Sequence, residues 1–297
     1  METIRYATLA LAREEVGAGP ADDSGDAHLL EALRWVSGRI DRRFGFSFAP
    51  AYATRHYDAQ GDSIDEFENT LDLDAPLLEV ASVTDNGGAT WTLDTHFRAA
   101  PHGQWHTWAL RALPGSGLAW EAAWADDWRE AIAVAGVWGY RRGYPEASWV
   151  DSRDTLAGGG AVGSTTLTLA GGPAGADAHG RAPRFSPGQL LRLGDEFCAV
   201  LATDAEEQTL SVRRAAQGST AADHPDGTAL AVWYPEPDIE RAVARWAAYL
   251  YKRRGMFEQT QFDGVAAVQF PPDAPQEIER ALAAFASEAR ALSLRAV

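Results

Sequence analysis

Histidines, carboxylates and tryptophans are the residues of this chain that could do chemistry, and their spacing decides what each could do. His102 and His106 are four apart, which on a helix puts two imidazoles on one face, as a metal site needs. Pro101 and Gly103 break such a helix, and Asp94 is the one carboxylate close by, so no metal site is expected. His224 lies between Asp223 and Asp226, a base with two carboxylates that could orient it. Its setting in the turn-like run DHPDGT favours a structural histidine bonded to a backbone carbonyl. Acidic runs occur at Asp62, Asp65, Glu66 and Glu68 and at Asp126 and Asp127. Paired acids can hydrolyse glycosidic bonds when held about 5 to 10 Å apart, but in polar loops such runs are ordinarily solvated surface. The glycine runs at 158–160 and 171–175 lack the Lys-Ser/Thr or the GxGxxG order of a phosphate loop. No cofactor is expected.

Eleven tryptophans are many for 297 residues. Trp120, Trp124 and Trp128 are spaced by four, with Trp105 and Trp108 shortly before them. Exposed tryptophans can stack on sugars; buried ones fill cores or anchor protein interfaces. The second role is favoured, with Trp120, Trp124 and Trp128 as candidate interface residues. The single cysteine, Cys198, excludes an internal disulfide and sits in the apolar run EFCAVLA, where it suits a small buried hydrophobe.

A net charge of −16, with 26 basic residues of which Lys252 is the single lysine, argues against a protein that grips nucleic acid. Like charge instead lets DNA pass without adhering. No apolar run approaches the roughly 20 residues that a membrane span needs. Two acids close behind the first apolar stretch make a signal peptide unexpected, so a cytoplasmic site of synthesis is expected.

The elements that must position these residues follow from periodicity. Leu29, Leu33, Val36, Ile40 and Phe44 recur at helical spacing over 26–44, with Ser24 or Asp26 as the cap and Gly45 as the stop. A shorter helix is expected over Tyr6 to Val16. From Pro50 to Trp149 the spacing shortens to strands, clearest over Leu71–Asp85 and Glu130–Tyr140, with a turn at Asn86-Gly87-Gly88. The Trp- and His-rich stretch between them has no clean period. The glycine-rich stretches Asp154–Ser164 and Leu169–Gly180 have the composition of linkers or mobile loops. Five short alternating runs follow or separate them, with inward candidates Leu167, Leu169, Leu191, Leu193, Phe197, Ala199, Leu201, Leu210, Val212, Leu230 and Val232. Helical spacing returns at Ile239, Val243, Trp246 and Leu250, and again at Ile278, Leu282, Phe285, Ala289 and Leu292. About 20 residues between these two helices form an arm that carries Phe257, Phe262 and Phe270 as further interface candidates. The expected fold is α+β: a helical bundle with a short-strand β element (1–152 and 234–297), interrupted by a small antiparallel β-barrel or sandwich (153–233).

Five stretches in this order, HLLEALRWVSGRIDRRFGFSFAP with ATRHYDAQGD, LDLDAPLLEVASVTD, IAVAGVWGY and PDIERAVARWAAYLYKRRG, resemble the head–tail connector (adaptor) family of long-tailed bacteriophages. The stations carrying the likeness are Thr54 to Asp58, Leu71 to Leu73 with Ser82 to Thr84, and Val134 to Tyr140. In the inserted stretch, Arg214, Gly218, Thr220, Ala221, His224, Gly227 and Thr228 match a β module that is similar to one common in phage virion proteins. The resemblance implies a non-enzymatic virion protein, made in the host cytoplasm and placed at the neck. It implies a homo-oligomeric ring of about twelve copies, closed by contacts between unlike faces, with portal protein above, a neck or tail-completion protein below, and DNA passing through without specific binding. On that reading Asp62, Asp65, Glu66 and Glu68 are candidates to face the channel. Two alternatives remain: another neck, tail-completion or baseplate protein, and a Trp-rich glycan-binding or glycan-hydrolysing protein.

Overall fold

A computed structural model of the chain describes residues 4–19, 23–101, 106–254 and 275–294. Contacts divide it into two units, Phe44–Ala147 with Ala286–Val297, and Met1–Arg43 with Ser148–Phe285.

The first unit is built on a seven-stranded antiparallel sheet: β1 (Ala51–Tyr57), β2 (Ile64–Asp65), β3 (Thr70–Asp85), β4 (Thr90–Trp91), β5 (Phe97–Ala100), β6 (Thr107–Ala112) and β7 (Ile132–Trp138). Its main path runs β1-β7-β3-β6-β5, with β2 and β4 also paired to β3. Sixteen residues long, β3 serves two neighbourhoods: its first half pairs with β2 and β6, its second with β7 and β4. Pro76 in its middle cannot donate to a ladder, and the register shifts there against β6 and twice against β7. Such bulges bend a strand. At the second of them Gly136 of β7 lies so close that a Cβ would sit 2.1 Å from the Glu79 carbonyl oxygen, so only glycine fits. The inward face of β7 is Ile132, Val134, Gly136 and Trp138, as its period of two requires. The Asn86-Gly87-Gly88 turn joins β3 to β4, with Gly88 at φ 86° and the Asp85 carboxylate accepting from the Ala89 amide at 2.9 Å.

In the second unit a six-stranded antiparallel sheet, β8 (Trp149–Thr155), β9 (Thr166–Thr168), β10 (Leu190–Leu193), β11 (Glu196–Asp204), β12 (Thr209–Arg213) and β13 (Ala229–Trp233), runs in the order β8-β13-β10-β11-β12-β9. The backbone bonds Ala157 N to Thr168 O and Ala170 N to Thr155 O, both 2.9 Å, join the two edge strands, so the sheet closes on itself and leaves no open edge there. Ten of the eleven inward candidates are buried; Leu201 is 44% exposed. A bulge between Val200 and Ala202 accounts for it: one extra residue on β11 reverses the alternation and turns Leu201 outward.

With this sheet go α1 (Leu9–Val16), α2 (Asp26–Phe44), α3 (Pro237–Arg254) and the part of α4 (Gln276–Leu294) up to Phe285. Thr8 caps α1 and Gly17, at φ 78°, ends it. The α2 stripe Leu29, Leu33, Val36 and Ile40 is fully buried, with Arg42 and Arg43 at the negative end of the helix dipole. α1 packs on α3, where Glu15 takes Arg245 at 3.3 Å.

The expected helical bundle is corrected by this architecture. The described residues are 32% strand and 24% helix, two antiparallel sheets with four α-helices. Periodicity failed where strands are short: β5 and β6, four and six residues long, carry arginine within aromatic-rich surroundings, whereas Leu71–Asp85 was legible as a strand despite Pro76. Nor are the glycine-rich stretches loose linkers. The Gly158 amide donates to Asp226 at 2.8 Å, the Val162 amide to Asp223 at 2.7 Å, and the Gly171 amide to Asp154 at 2.8 Å.

The bulge on β11 generates a direct test. Leu201→Ala is expected to change stability by no more than about 0.5 kcal/mol, whereas Leu210→Ala, one strand away and fully buried, should cost about 2–5 kcal/mol. Urea denaturation of both variants checks this; equal losses would show that Leu201 faces the core.

Candidate functional site

A dense cluster of titratable groups is in the closed sheet, around Glu196 at the first position of β11. Its side chain is fully buried. Arg214 binds it through both oxygens, Nε to Oε1 and Nη2 to Oε2, each at 2.7 Å. The amides of Ala215 and Ala222 donate to it at 3.0 Å, and His224 Nε2 lies 2.9 Å from Oε2. Arg214 spends its remaining donors on the carbonyls of Ala161, Ser164 and Ala222. Burial by itself would raise the Glu196 pKa, but the Arg214 pair, the two amides and His224 outweigh it and bring the group down to about 2. Every lone pair of the carboxylate is used internally. This cluster binds four chain segments together and offers nothing to a substrate. The Cys198 thiol beside it is fully buried and pushed up to about 12, chiefly by burial and then by the Glu196 charge, so it is inert.

Sequence reasoning placed His224 as structural; the structure makes its side-chain partner Glu196 rather than a backbone carbonyl, while its main chain pairs with Gly160. Asp223 and Asp226 hold the 158–162 loop and do not orient the imidazole. Glu196 itself escaped notice. The available signal was an acid opening an otherwise apolar five-residue run, a place where only a paired charge is tolerated.

A second network surrounds buried Asp177. Its Oδ1 accepts from the amides of His179 and Arg181 at 2.9 Å, and its Oδ2 from the Tyr234 hydroxyl at 2.9 Å. Arg181 lies over the Tyr234 ring, 4.1 Å from its centroid, and pairs with Glu240 at 2.6 Å. Arg181, Tyr234 and Glu240 line one side of a cleft of about 470 Å³ whose other wall is Thr8, Leu11 and Glu14 of the first helix region. The Arg181–Glu240 pair fastens α3, and the Asp177–Tyr234 bond the segment just before it, to the 173–184 loop.

In the seven-stranded sheet, Arg55 and Tyr57 of β1 reach across Trp138 of β7 to Asp74 of β3. Arg55 Nη1 and the Tyr57 hydroxyl each donate to Asp74 at 2.6 Å, and Arg55 lies 4.5 Å above the Trp138 ring. Burial, followed by the bond to Asp74, raises the phenol above its ordinary range; the Tyr57 and Arg55 bonds, working against burial, lower the Asp74 carboxyl. Thr54 to Asp58, noted in the sequence as one station, is thus a clasp over three strands.

The other predicted residues are scattered. Asp62, Glu66 and Glu68 are exposed and Asp65 half-buried, all around the turn joining β2 to β3. Asp65 Oδ1 accepts from the amides of Phe67 and Glu68 at 2.9 and 3.0 Å, and Glu68 pairs with Arg111 at 3.4 Å. Trp120 is fully buried against Phe97, a core residue; Trp128 is half-buried beneath Arg129; Trp124 is 36% exposed. Phe257, Phe262 and Phe270 lie outside the described residues, as does His102.

His106 is 2% exposed, and neither ring nitrogen has a hydrogen-bond partner among the described residues. Tyr140 lies against its ring at 4.6 Å. Burial, with Arg142 second, lowers its pKa to about 4, so the folded protein holds it neutral. No group of three or more metal-ligating side chains occurs among the described residues.

Two pH effects follow. His106 falls from 6.5 to about 4 on folding, so its stabilising contribution is complete above 6.5 and is lost as pH falls from 6.5 towards 4. Glu196 falls from 4.5 to about 2, so its contribution is lost lower, between 4.5 and 2. Each is about 3 kcal/mol at full extent. Thermal unfolding of His106→Phe should therefore lose the pH dependence between 6.5 and 4 and keep that below 4.5. Glu196→Gln should cost about 3–5 kcal/mol at neutral pH by leaving Arg214 buried without its counter-charge; a loss under 1 kcal/mol would show the cluster to be solvated.

Comparison with models of known protein families, with curated proteins and with solved structures finds no match to this chain.

Proposed function

We propose that the chain is a structural, non-catalytic component of the head–tail joint of a tailed bacteriophage, assembling as a ring that takes portal protein on one face and a neck or tail-completion protein on the other. The observation that carries this reading is the placing of the three strand stations. Thr54–Asp58, Leu71–Leu73 with Ser82–Thr84, and Val134–Tyr140 are far apart in sequence but belong to or flank β1, β3 and β7, which are consecutive in one sheet as β1-β7-β3. Stretches that resemble one family in order therefore come together in one sheet, tied by the Asp74 clasp.

The chemistry of the acids points the same way. Glu196, Asp177, Asp154, Asp223 and Asp226 each accept backbone amides or pair with arginine, which is the work of a scaffold. A sugar platform of Trp120, Trp124 and Trp128 is weakened by the burial of Trp120 and the cover of Arg129 over Trp128. The −16 charge lets DNA pass without adhering.

Electron microscopy of the virion neck, with mass measurement of the purified protein alone and mixed with portal protein, tests the reading. A closed ring of copies that binds the portal is the expected outcome. Binding to a tail tube or baseplate in place of the portal would transfer the protein to another virion position, and a monomer that cleaves glycans would end the structural reading.

A further inference from the structure

The chain contains two asparagines, Asn69 and Asn86, and they stand in opposite settings. Asn69 is followed by Thr70, a buried β-branched residue of β3 whose side chain crowds its own amide nitrogen. Asn86 is exposed and is followed by Gly87, which has no side chain to hinder an approach to its nitrogen. The Asn86 carboxamide is thus an electrophile with an unhindered nucleophile next to it in the chain.

The fold keeps the two apart. Asn86 Oδ1 accepts from the Ala125 amide at 2.8 Å, and its Nδ2 donates to the Asp127 carbonyl at 2.7 Å. Both ends of the carboxamide are held by the 125–127 segment, so it cannot turn back on its own backbone until those bonds break. The same segment covers Gly87: a Cβ built there would lie 3.3 Å from the Ala125 Cβ and 3.2 Å from Asp85 Oδ1. The next ties of this segment to the sheet lie beyond it, from the Ala59 amide to the Trp128 carbonyl at 2.8 Å and from the Glu130 amide to Asp58 at 2.7 Å. Among the described residues, Asn86 is therefore what bonds 125–127 to the turn between β3 and β4.

We propose that Asn86 is a self-modification site with water as co-reactant, guarded by the 125–127 segment and converted when that segment lifts. The Gly87 nitrogen attacks Asn86 Cγ; its proton is lost, the Cγ–Nδ2 bond breaks and ammonia leaves, closing a cyclic imide. Water then adds to either imide carbonyl, and the C–N bond that opens leaves aspartate or isoaspartate at position 86. The product puts a carboxylate where the Nδ2 donor stood, facing the Asp127 carbonyl with no hydrogen to give. It also adds charge beside Asp85, whose carboxylate is engaged with the Ala89 amide. Both effects oppose the return of the segment that carries exposed Trp124 and half-buried Trp128. Conversion is one-way, so a single lifting event can become permanent.

Peptide mapping by mass spectrometry, with enzymatic methylation to detect isoaspartate, tests this on the full chain at mildly alkaline pH. Asn69 is the internal control. In urea Asn86 should convert while Asn69 stays largely amide. In the folded protein Asn86 should convert at least about tenfold more slowly, because the reaction then waits on local opening. Ala125→Pro removes the N–H that holds Oδ1 and leaves Asn86 and Gly87 in place; it should return most of the lost rate with circular dichroism unchanged. Ala125→Gly, which strips the cover from Gly87, serves if the proline disturbs folding. Asn86→Asp, carrying the charge of the product, should speed chymotrypsin cleavage after Trp124. No conversion in urea would overturn the site, and equal rates folded and unfolded would overturn the guard. An Ala125 variant that folds and keeps full protection would show that 125–127 is not the guard. An Asn86→Asp chain as resistant as wild type after Trp124 would rule out release of the segment.

Discussion

A carboxylate buried in an apolar strand is the constraint on which the closed sheet depends. Glu196 could not remain ionised at full burial without compensation, and the compensation is supplied from four places in sequence: Arg214, the amides of 215 and 222, and His224. Those partners are not free to move once engaged. Arg214 pulls in the 161–164 loop, His224 pairs with Gly160, and Asp223 and Asp226 hold the amides on either side. The result is a long glycine-rich segment with almost no regular structure that is nevertheless fixed residue by residue. Removing either charge would leave the other unpaired in a medium that cannot solvate it.

The seven-stranded sheet solves a different problem. Its longest strand must pair with four others, each over only part of its length, so it has to bend. Pro76 interrupts the ladder, the bulges change direction, and Gly136 lets the neighbouring strand approach the bend closely. The Asp74 clasp then closes the outer side of the bend, with Arg55 lying flat on Trp138. Aromatic packing continues into the turn after α2, where the Phe44, Phe46 and Phe48 rings lie 5.2 to 5.9 Å apart. Much of the unusual tryptophan content is spent in this way, inside the protein.

Glu196 of the closed sheet and Asp74 of the seven-stranded sheet share a feature: each is a perturbed carboxylate engaged with the chain itself. Glu196 and Asp74 have lowered pKa values because arginine and hydrogen bonds hold them ionised, which stabilises the fold and leaves little capacity for proton transfer. Surface chemistry is different. There the aromatic ring of Phe67 stands out against an acidic background.

By itself the sequence determined what depends on near neighbours along the chain. The α2 stripe, the turn at 86–88, the alternation of β7 and five strands of the closed sheet were all legible, because spacing of 3.6 or 2 and φ-permissive glycines act locally. Tertiary structure alone decided the rest. Leu201 turns outward because of a bulge that no local pattern marks, β5 and β6 exist because β3 offers them a partner, and α1 and α3 find each other across more than 200 residues. The balance between helix and sheet went the same way, since helical stripes are conspicuous over many turns and short strands are not. Glu196 shows the limit most plainly: whether an acid is solvated or buried depends on how many donors the folded chain can bring to it, and those donors come from up to 28 residues away.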